Sequence, residues 1–185
     1  MVERIVDAAA RVLEDVGYQH ASTNRIAAAA GVSPGSVYQY FTGKDEIFAV
    51  VVERLGVRFA ESIVPVLRRS ALEDPATRTH TVIDAVLAAL EAEARLLRAL
   101  VDRIPTLEQQ KAATAIRGRV GEMVYQSLAS TPSALRHDDL DRTTWMIVEL
   151  AQHLPVRYVL DQPPIAREAF IDDLAQIILG VAYVA

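Results

Sequence analysis

STNRIAAAAGVSPGSVYQYFTGKDEIF, residues 22–48, contains two short helical patterns separated by a tight turn. Ser22 or Thr23 can cap the first helix, and Gly31 can adopt the positive φ that ends it. Ser33 can cap the second helix and Pro34 can begin it, because proline fits the first helical turn. The stretch therefore predicts a helix-turn-helix with helices of roughly eight residues each.

Apolar and small residues in this stretch predict a compact core between the two helices. Ala27 and Gly31 lie four residues apart, on one face where a crossing helix can come close. Val37 can seal this contact from the second helix. The remaining members of the predicted core are Ile26, Ala30 and Val32.

The other face of the second helix has hydroxyl, amide and aromatic groups and no long aliphatic side chain. Its members are Gly35, Ser36, Tyr38, Gln39 and Tyr40. A helix in the major groove uses such groups, because serine and glutamine can bond base edges and tyrosine hydroxyls can reach phosphates. The pattern predicts an element that reads DNA.

The same region resembles the TetR family of transcriptional regulators in residues that keep the family's order and spacing. These residues are Gly17-Tyr18, Thr23, Ile26-Ala27, Ala30-Gly31-Val32-Ser33, Gly35, Val37-Tyr38, Tyr40-Phe41 and Lys44-Asp45. The resemblance implies a homodimeric regulator that binds double-stranded operator DNA and responds to a small-molecule effector. A repressor released by its effector is the expected form of regulation.

Two kinds of DNA contact follow from the resemblance. The residues facing bases would be Pro34, Gly35, Ser36 and Gln39. The residues holding phosphates would be Thr23, Tyr38, Tyr40 and Lys44. Asn24, beside the cap of the first helix, either contacts DNA or is a solvated residue of the first turn. The family usually has a basic arm ahead of helix 1, but helix-like sequence begins here within three residues of Met1. Either the arm is absent or the start is trimmed, and minor-groove reading by an arm is not predicted.

Composition indicates a globular helical protein of 185 residues, with 51% apolar residues and only eight glycines and eight prolines. Cysteine is absent, which excludes disulfides and thiolate metal sites and fits a reducing compartment. No leader or spanning segment is evident, so we expect a cytoplasmic protein without a membrane partner.

Net charge argues against a nucleic-acid partner at first sight. The whole chain has a net charge of −5, and residues 1–47 contain four basic and six acidic side chains. Helix N-termini, hydroxyls and a few placed cations can nevertheless hold phosphates when the acids face away from the groove. We therefore expect DNA binding with a weak non-specific component.

Apolar periodicity predicts an all-α fold of about nine helices. Residues 1–45 would form a three-helix DNA-binding domain, whose first helix runs from about Val2 to Val16 and ends at Gly17. Residues 46–185 would form a helical domain for effector binding and dimerisation. Its predicted helices are a long one from residue 44 to about 67, then a segment opening at 75, a short one over 96–101, and 107–130, 139–161 and 164–184.

The last two predicted helices each have an apolar stripe, and a neighbouring pair of this kind can form a self-pairing surface. In the family this pair forms a four-helix bundle with its symmetry mate. The predicted interface residues are Ile147, Leu154, Tyr158, Phe170, Leu174, Ile177, Ile178 and Val181. A core-only role for these stripes is the alternative.

An effector pocket is implied by the family and only weakly by the residues, each of which could instead be ordinary core. The predicted walls are Phe59, Val86, Leu90, Leu100, Met123, Tyr125, Trp145 and His153, with Gln126 and Glu149 as polar handles. The lone Trp145 is the favoured member, because its ring offers a flat surface with one donor. A buried, unpaired Glu149 would indicate a cationic ligand.

Enzymatic chemistry is not expected, because no Gly-rich phosphate loop, nucleophile elbow or metalloprotease pair is present. His80, His137 and His153 lack the spacing that would complete a metal site, so no metal and no cofactor are predicted. A helical adaptor without a DNA role is the alternative from a different class. That alternative does not account for the side chains of Tyr38, Gln39, Tyr40 and Lys44.

Overall fold

The computed structural model describes residues 1–101, 118, 120–129 and 139–183. Within these residues the regular elements are helices and no β-strand occurs, which confirms the predicted all-α class. The elements are α1 (Val2–His20), α2 (Thr23–Ala30), α3 (Pro34–Tyr38), α4 (Lys44–Arg69), a 3-10 turn (Ser70–Leu72), α5 (Pro75–Ala92), α6 (Ala94–Val101), α7 (120–129), α8 (Leu140–Asp161) and α9 (Arg167–Ala182). Much of the predicted helix over 107–130 lies outside the described residues.

Contacts divide the chain into two compact units. The first comprises Met1–Arg58 and Glu93–Ile116, and the second comprises Phe59–Ala92 and Arg117–Ala185. Helix α4 therefore contributes its first part to one unit and its remainder to the other. The domain boundary after residue 45 stays a prediction. Among the described residues, no helix has both the length and the apolar content that a bilayer crossing requires.

The first unit is built around side chains that are almost fully buried on α1, α2, α3 and α4. Ile5, Ile26, Val37 and Phe48 each have no measurable exposure. Leu96 from α6 belongs to the same core and is 1% exposed. The core predicted between α2 and α3 is confirmed, and α6 adds to it from a distant part of the sequence.

Two glycines end helical runs by adopting positive φ. Gly17 has φ 71° and ψ 167°, so the helical geometry of α1 breaks there, as predicted, before a last turn to His20. Gly31 has φ 64° and ends α2. The predicted close helix approach at Gly31 is wrong, since a Cβ built there meets no atom within 4 Å. Its conformation, not its small size, is what the fold uses.

Helix α3 is shorter than predicted, with five residues, Pro34–Tyr38, where eight were expected. The backbone tightens after Tyr38, because the N–H of Tyr40 and the N–H of Phe41 both donate to the carbonyl of Val37 at 3.0 Å. The Phe41 side chain then returns to the core, where it is 6% exposed. Burial of Phe41 thus ends the helix that periodicity alone would extend.

The second unit packs α5 against α8 and α9, and α8 against α9. Leu87, Ile171 and Leu174 form its most buried part. At one end of α9, the Arg167 guanidinium donates to Asp84 and to Glu91 on α5. The hydrogen bond that Arg167 donates to Asp84 is the main cause that raises the pKa of Arg167 above its ordinary value.

The corner between α8 and α9 differs from the predicted one. Helix α8 begins at Leu140 after the cap Asp139, close to the predicted start, and ends at Asp161, as predicted, with Gln162 following in the left-handed conformation (φ 48°). Helix α9 begins at Arg167, three residues later than predicted. The prolines at 163 and 164 and the bond from the N–H of Ile165 to the carbonyl of Pro163 (2.7 Å) hold this corner outside the helix.

Candidate nucleic-acid interface

The helix-turn-helix has caps at both of its helices. Ser22 caps α2, since its Oγ accepts from the N–H of Arg25 at 3.3 Å. Ser33 caps α3, since its Oγ accepts from the N–H of Ser36 at 3.1 Å, and Pro34 occupies the first turn. The predicted cap of α3 is confirmed, and Ser22 is the residue that caps α2.

The outward face of α3 is exposed, apart from its serine. Tyr38 and Tyr40 are 56% and 46% exposed. Pro34, Gly35 and Gln39 are also exposed, and Ser36 is half-buried with its hydroxyl 2.9 Å from that of Ser33. On the opposite face Val37 is fully buried. The helix therefore presents polar groups and one amide to solvent while a single valine anchors it.

Two residues predicted to hold phosphates meet where α2 begins and α3 ends. The hydroxyl of Thr23 lies 3.0 Å from the hydroxyl of Tyr38. One hydroxyl donates to the other, so the pair keeps one free O–H for a further acceptor. Asn24 is exposed beside this pair in sequence, so both of its predicted readings stay open. The hydroxyl pair can offer one donor to a phosphate oxygen from two helices at once.

Lys44 lies at the first residue of α4, and its ammonium already has partners within the protein. Its Nζ donates to the carbonyls of Tyr18 (3.0 Å) and Ala21 (3.2 Å). It also lies 4.4 Å from the centroid of the Tyr18 ring. The hydroxyl of Tyr18 donates to Asp45. The predicted phosphate contact of Lys44 is untested, but two of its three N–H donors are used elsewhere.

The acids of this unit are largely matched by arginines from α4 and α6. Arg54 Nη1 lies 3.2 Å from Glu3 and 2.9 Å from Asp7 on α1. Arg95 lies 3.7 Å from Glu14 and 3.4 Å from Asp15. Over residues 1–58 and 93–101 the sequence has eight basic and eight acidic side chains. The folded unit is thus neutral over its described residues, where residues 1–47 alone suggested an acidic head.

The residues predicted to line an effector pocket differ in their exposure. Val86 and Leu90 are buried, and Leu100 is half-buried against the core of the first unit. The half-buried members are Phe59, Met123, Tyr125 and Glu149, and the exposed members are Gln126, Trp145 and His153. Trp145 is 65% exposed in the single chain. The pocket stays a prediction for this set.

Polar groups in the same set have partners within their own helices. Gln126 donates to Glu122 at 2.7 Å. His153 Nδ1 lies 3.4 Å from the Glu149 carboxylate, which is partly exposed. The condition set for a cationic ligand, a buried and unpaired Glu149, is therefore not met. His137 lies outside the described residues, and His80 bonds Asp172 at 3.1 Å.

The residues predicted for the dimer interface fall into three groups. Ile147, Leu174 and Ile178 are already buried within their own unit. Tyr158 and Phe170 are half-buried and stack on each other with ring centroids 4.1 Å apart, and Val181 is half-buried. Leu154 and Ile177 are 39% and 47% exposed. Only the exposed members can contribute much area to a second subunit.

Family models match two parts of this chain, and these parts do not coincide with the two compact units. The family model of bacterial regulatory proteins of the tetR family matches residues 5–51, and that of the tetracyclin repressor-like C-terminal domain matches residues 74–180. The HTH-type transcriptional regulator BetI 2 of Chromohalobacter salexigens is 32% identical over 78 residues, which are 42% of this chain and 37% of that protein. The fatty acid metabolism regulator protein of Bacillus subtilis is 37% identical over 54 residues, which are 29% of this chain and 28% of that protein. The chain therefore matches well under half of each of these curated relatives.

Solved structures share the whole fold at low identity. A transcriptional regulator from Rhodococcus sp. Rha1 has a TM-score of 0.77 at 22% identity, covering 100% of this chain and 98% of that one. The regulator FadR from Bacillus subtilis, solved in complex with stearoyl-CoA, has a TM-score of 0.76 at 19% identity, covering 98% and 99%. The fatty acid degradation regulator FadR from Bacillus halodurans has a TM-score of 0.74 at 20% identity, covering 96% and 94%. At these identities the likeness concerns the fold.

Proposed function

The chain belongs to the TetR family of transcriptional regulators, and from this premise we propose that it is a repressor released from an inverted-repeat operator by a small, largely apolar effector. The observation that carries the DNA-binding part is the hydroxyl pair of Thr23 and Tyr38, set beside the exposed face of α3. Family membership leaves no support for the alternative of a helical adaptor without a DNA role.

Base reading would fall to the exposed face of α3. Gln39 is exposed and can form two hydrogen bonds with adenine, whereas the hydroxyl of Ser36 is engaged with Ser33 and is less free to read a base. Pro34 and Gly35 offer backbone and apolar contact. We therefore assign most of the direct sequence preference to Gln39.

Hydroxyl groups, more than cationic side chains, would bind the DNA phosphates. Thr23 and Tyr38 form one donor site, and the exposed Tyr40 can form a second on the far side of the short helix. Neutral donors release no counterions, so the affinity for random DNA should be low and only weakly dependent on salt. This fits a unit that is neutral over its described residues.

Dimerisation would use the exposed apolar side chains of α8 and α9. Leu154 on α8 and Ile177 on α9 are the exposed members of the predicted interface set. Exposed apolar residues grouped on neighbouring helices are typical of protein–protein contacts. A two-fold dimer of a DNA-reading subunit binds an inverted repeat.

An alkyl chain is the effector chemistry to test first. One structural relative was solved with stearoyl-CoA, and the name of one curated relative refers to fatty acid metabolism. The predicted pocket includes buried Val86 and Leu90 from α5 and the half-buried Phe59 of α4. Since α4 also starts at Lys44 in the first unit, a ligand that prefers one position of α4 can change the geometry of the DNA-binding unit.

Selection from a random duplex library tests the DNA-binding proposal. The protein should enrich an inverted repeat whose half-sites are about one turn of DNA, 34–36 Å, or a multiple of it apart. Stearoyl-CoA, with coenzyme A alone as the matched control, is then titrated into the complex. Recovery of no preferred sequence would refute the regulator as proposed, whereas release by neither compound would refute only the acyl effector.

A further inference from the structure

Three side chains join the turn between α1 and α2 to the first turn of α4. We call this group, Tyr18, Lys44 and Asp45, the turn clamp. Lys44 donates to the carbonyls of Tyr18 and Ala21, and its ammonium lies over the Tyr18 ring. Asp45 accepts from the Tyr18 hydroxyl. The ammonium of Lys44 and the carboxylate of Asp45 therefore both contact Tyr18, and the ammonium also binds the neighbouring backbone.

Two of the three donors of Lys44 are used within the protein, and its ammonium also contacts a ring. An ammonium has three N–H groups, and two of them donate to carbonyl oxygens. The distance of 4.4 Å to the ring centroid is within the range of a cation–π contact, which engages the remaining side of the ammonium. Lys44 therefore has at most one N–H left for a phosphate, and closer engagement of its charge would cost the hydrogen bonds that it already makes.

The clamped backbone lies directly before the DNA-reading elements. Ala21 is 3% exposed and precedes Ser22, which caps α2. The next residue, Thr23, bonds Tyr38 at the end of α3. A shift of the Ala21 carbonyl therefore moves the start of α2 and, through one hydroxyl pair, the end of α3.

We propose that Lys44 is a positioning residue for DNA binding, which holds the α1–α2 turn on the start of α4, and that it is not a phosphate ligand. This inference rests on the proposed DNA-binding function. The clamp makes α2 and α3 follow the first turn of α4 as one body. Lys44 thus contributes to operator recognition through the backbone of Ala21 and the cap of α2, without touching DNA.

The test compares Lys44→Met with the wild-type protein, because methionine keeps much of the apolar stem and removes the donors. Binding to the selected operator and to a random duplex is measured by fluorescence anisotropy over a series of salt concentrations, at a temperature where circular dichroism shows both proteins folded. We expect a loss of about tenfold on the operator, equivalent to about 1.4 kcal/mol. The affinity for random DNA and the slope of log affinity against log salt should not change.

Two outcomes with this variant would overturn the positioning role. A phosphate ligand would lower affinity on both duplexes and reduce the slope by about 0.9, the value for one phosphate contact. A residue that only stabilises the fold would leave operator affinity unchanged in the folded variant. Both differ from a loss confined to the operator.

Tyr18→Phe provides a second variant that keeps the ring and removes the hydroxyl that bonds Asp45. It should weaken operator binding by about threefold, with random DNA unaffected. If Lys44→Met does not fold, this variant decides, and an unchanged operator affinity would overturn the proposal. Tyr40→Phe is the matched control, since it removes an exposed hydroxyl outside the clamp and should weaken both duplexes. A wild-type protein that binds no DNA would instead refute the proposed function, and the positioning role with it.

Discussion

Two adjacent isoleucines on α9 allow the proposed dimer interface to be tested separately from the folding of the subunit. Ile177 is 47% exposed in the single chain, whereas Ile178 is 8% exposed and packs inside its own unit. Glutamate at position 177 should leave the subunit folded and disrupt the dimer. Glutamate at position 178 should destabilise the subunit itself, because the charge would be buried without a partner.

The size of the effect follows from the exposed fraction of Ile177. Complete burial of an isoleucine contributes about 1.5–3 kcal/mol, so covering the exposed half contributes roughly 1 kcal/mol per subunit. Two-fold symmetry doubles this to roughly 2 kcal/mol, or about thirtyfold in the dissociation constant. An unpaired charge buried in each subunit adds about 3–5 kcal/mol. Ile177→Glu should therefore raise the dissociation constant of the dimer well beyond the thirtyfold that the lost apolar burial alone would cause.

Sedimentation velocity and thermal unfolding are measured on the same preparations. Ile177→Glu should sediment as a monomer and keep the helical content of the wild type, and Ile177→Leu, the matched apolar control, should stay a dimer. Ile178→Glu should unfold at a lower temperature, or fail to fold. An Ile177→Glu protein that remains a dimer would show that this face of α9 is not the interface.

The other predictions concern DNA, effector and pH. Gln39→Ala should relax the preference at one or two base pairs by about 1–3 kcal/mol, whereas Tyr38→Phe should weaken binding to all duplexes alike. Selection from a duplex library with each variant checks both. Equal losses for Gln39→Ala on specific and random DNA would contradict its base contact. Phe59→Ala should reduce release by the effector while leaving operator affinity nearly unchanged. In the wild-type protein, operator DNA should weaken effector binding by the same factor by which the effector weakens operator binding, on the order of 1–3 kcal/mol. Paired titrations of free and DNA-bound protein test this, and equal ligand affinities would exclude the coupling. Hydrogen bonds from Thr42 lower the pKa of Glu46, so their stabilisation is present above the ordinary pKa of a glutamate and is lost as the pH falls through the lowered value. Thr42→Ala removes the hydroxyl bond but keeps the backbone N–H bond, which is the larger cause, so it should flatten only part of this acid limb of the stability profile measured by urea unfolding.

Local chemistry made much of the DNA-binding unit predictable. The caps Ser22 and Ser33 and the positive φ of Gly17 and Gly31 depend on a few neighbouring residues, and these features occur where the sequence indicated. The length of α3 was not predictable in the same way. It depends on the burial of Phe41, which draws the backbone into the core.

The net charge of the DNA-binding unit was not predictable from residues 1–47 alone. Residues 1–47 have an excess of acids, but Arg54 and Arg95 from later helices pair with four of them. Arg95 and Asp15, for example, are separated by 80 residues along the chain. No local pattern predicts such pairs, because they arise only when α4 and α6 come close to α1 in the folded unit.

Sequence by itself determined the helical class and the helix-turn-helix, since capping residues, glycine conformation and apolar periodicity act over a few residues. The family followed from a resemblance to its motif in residues 17–45. Tertiary structure alone decided how individual side chains are used. Ile177 and Ile178 are identical in the sequence pattern, and only the packing of α9 against α5 and α8 buries one and exposes the other. Lys44 was predicted to hold a phosphate, and only the fold brings the carbonyls of Tyr18 and Ala21 within reach of its ammonium. Burial and hydrogen-bond partners depend on contacts between distant segments, which periodicity does not specify.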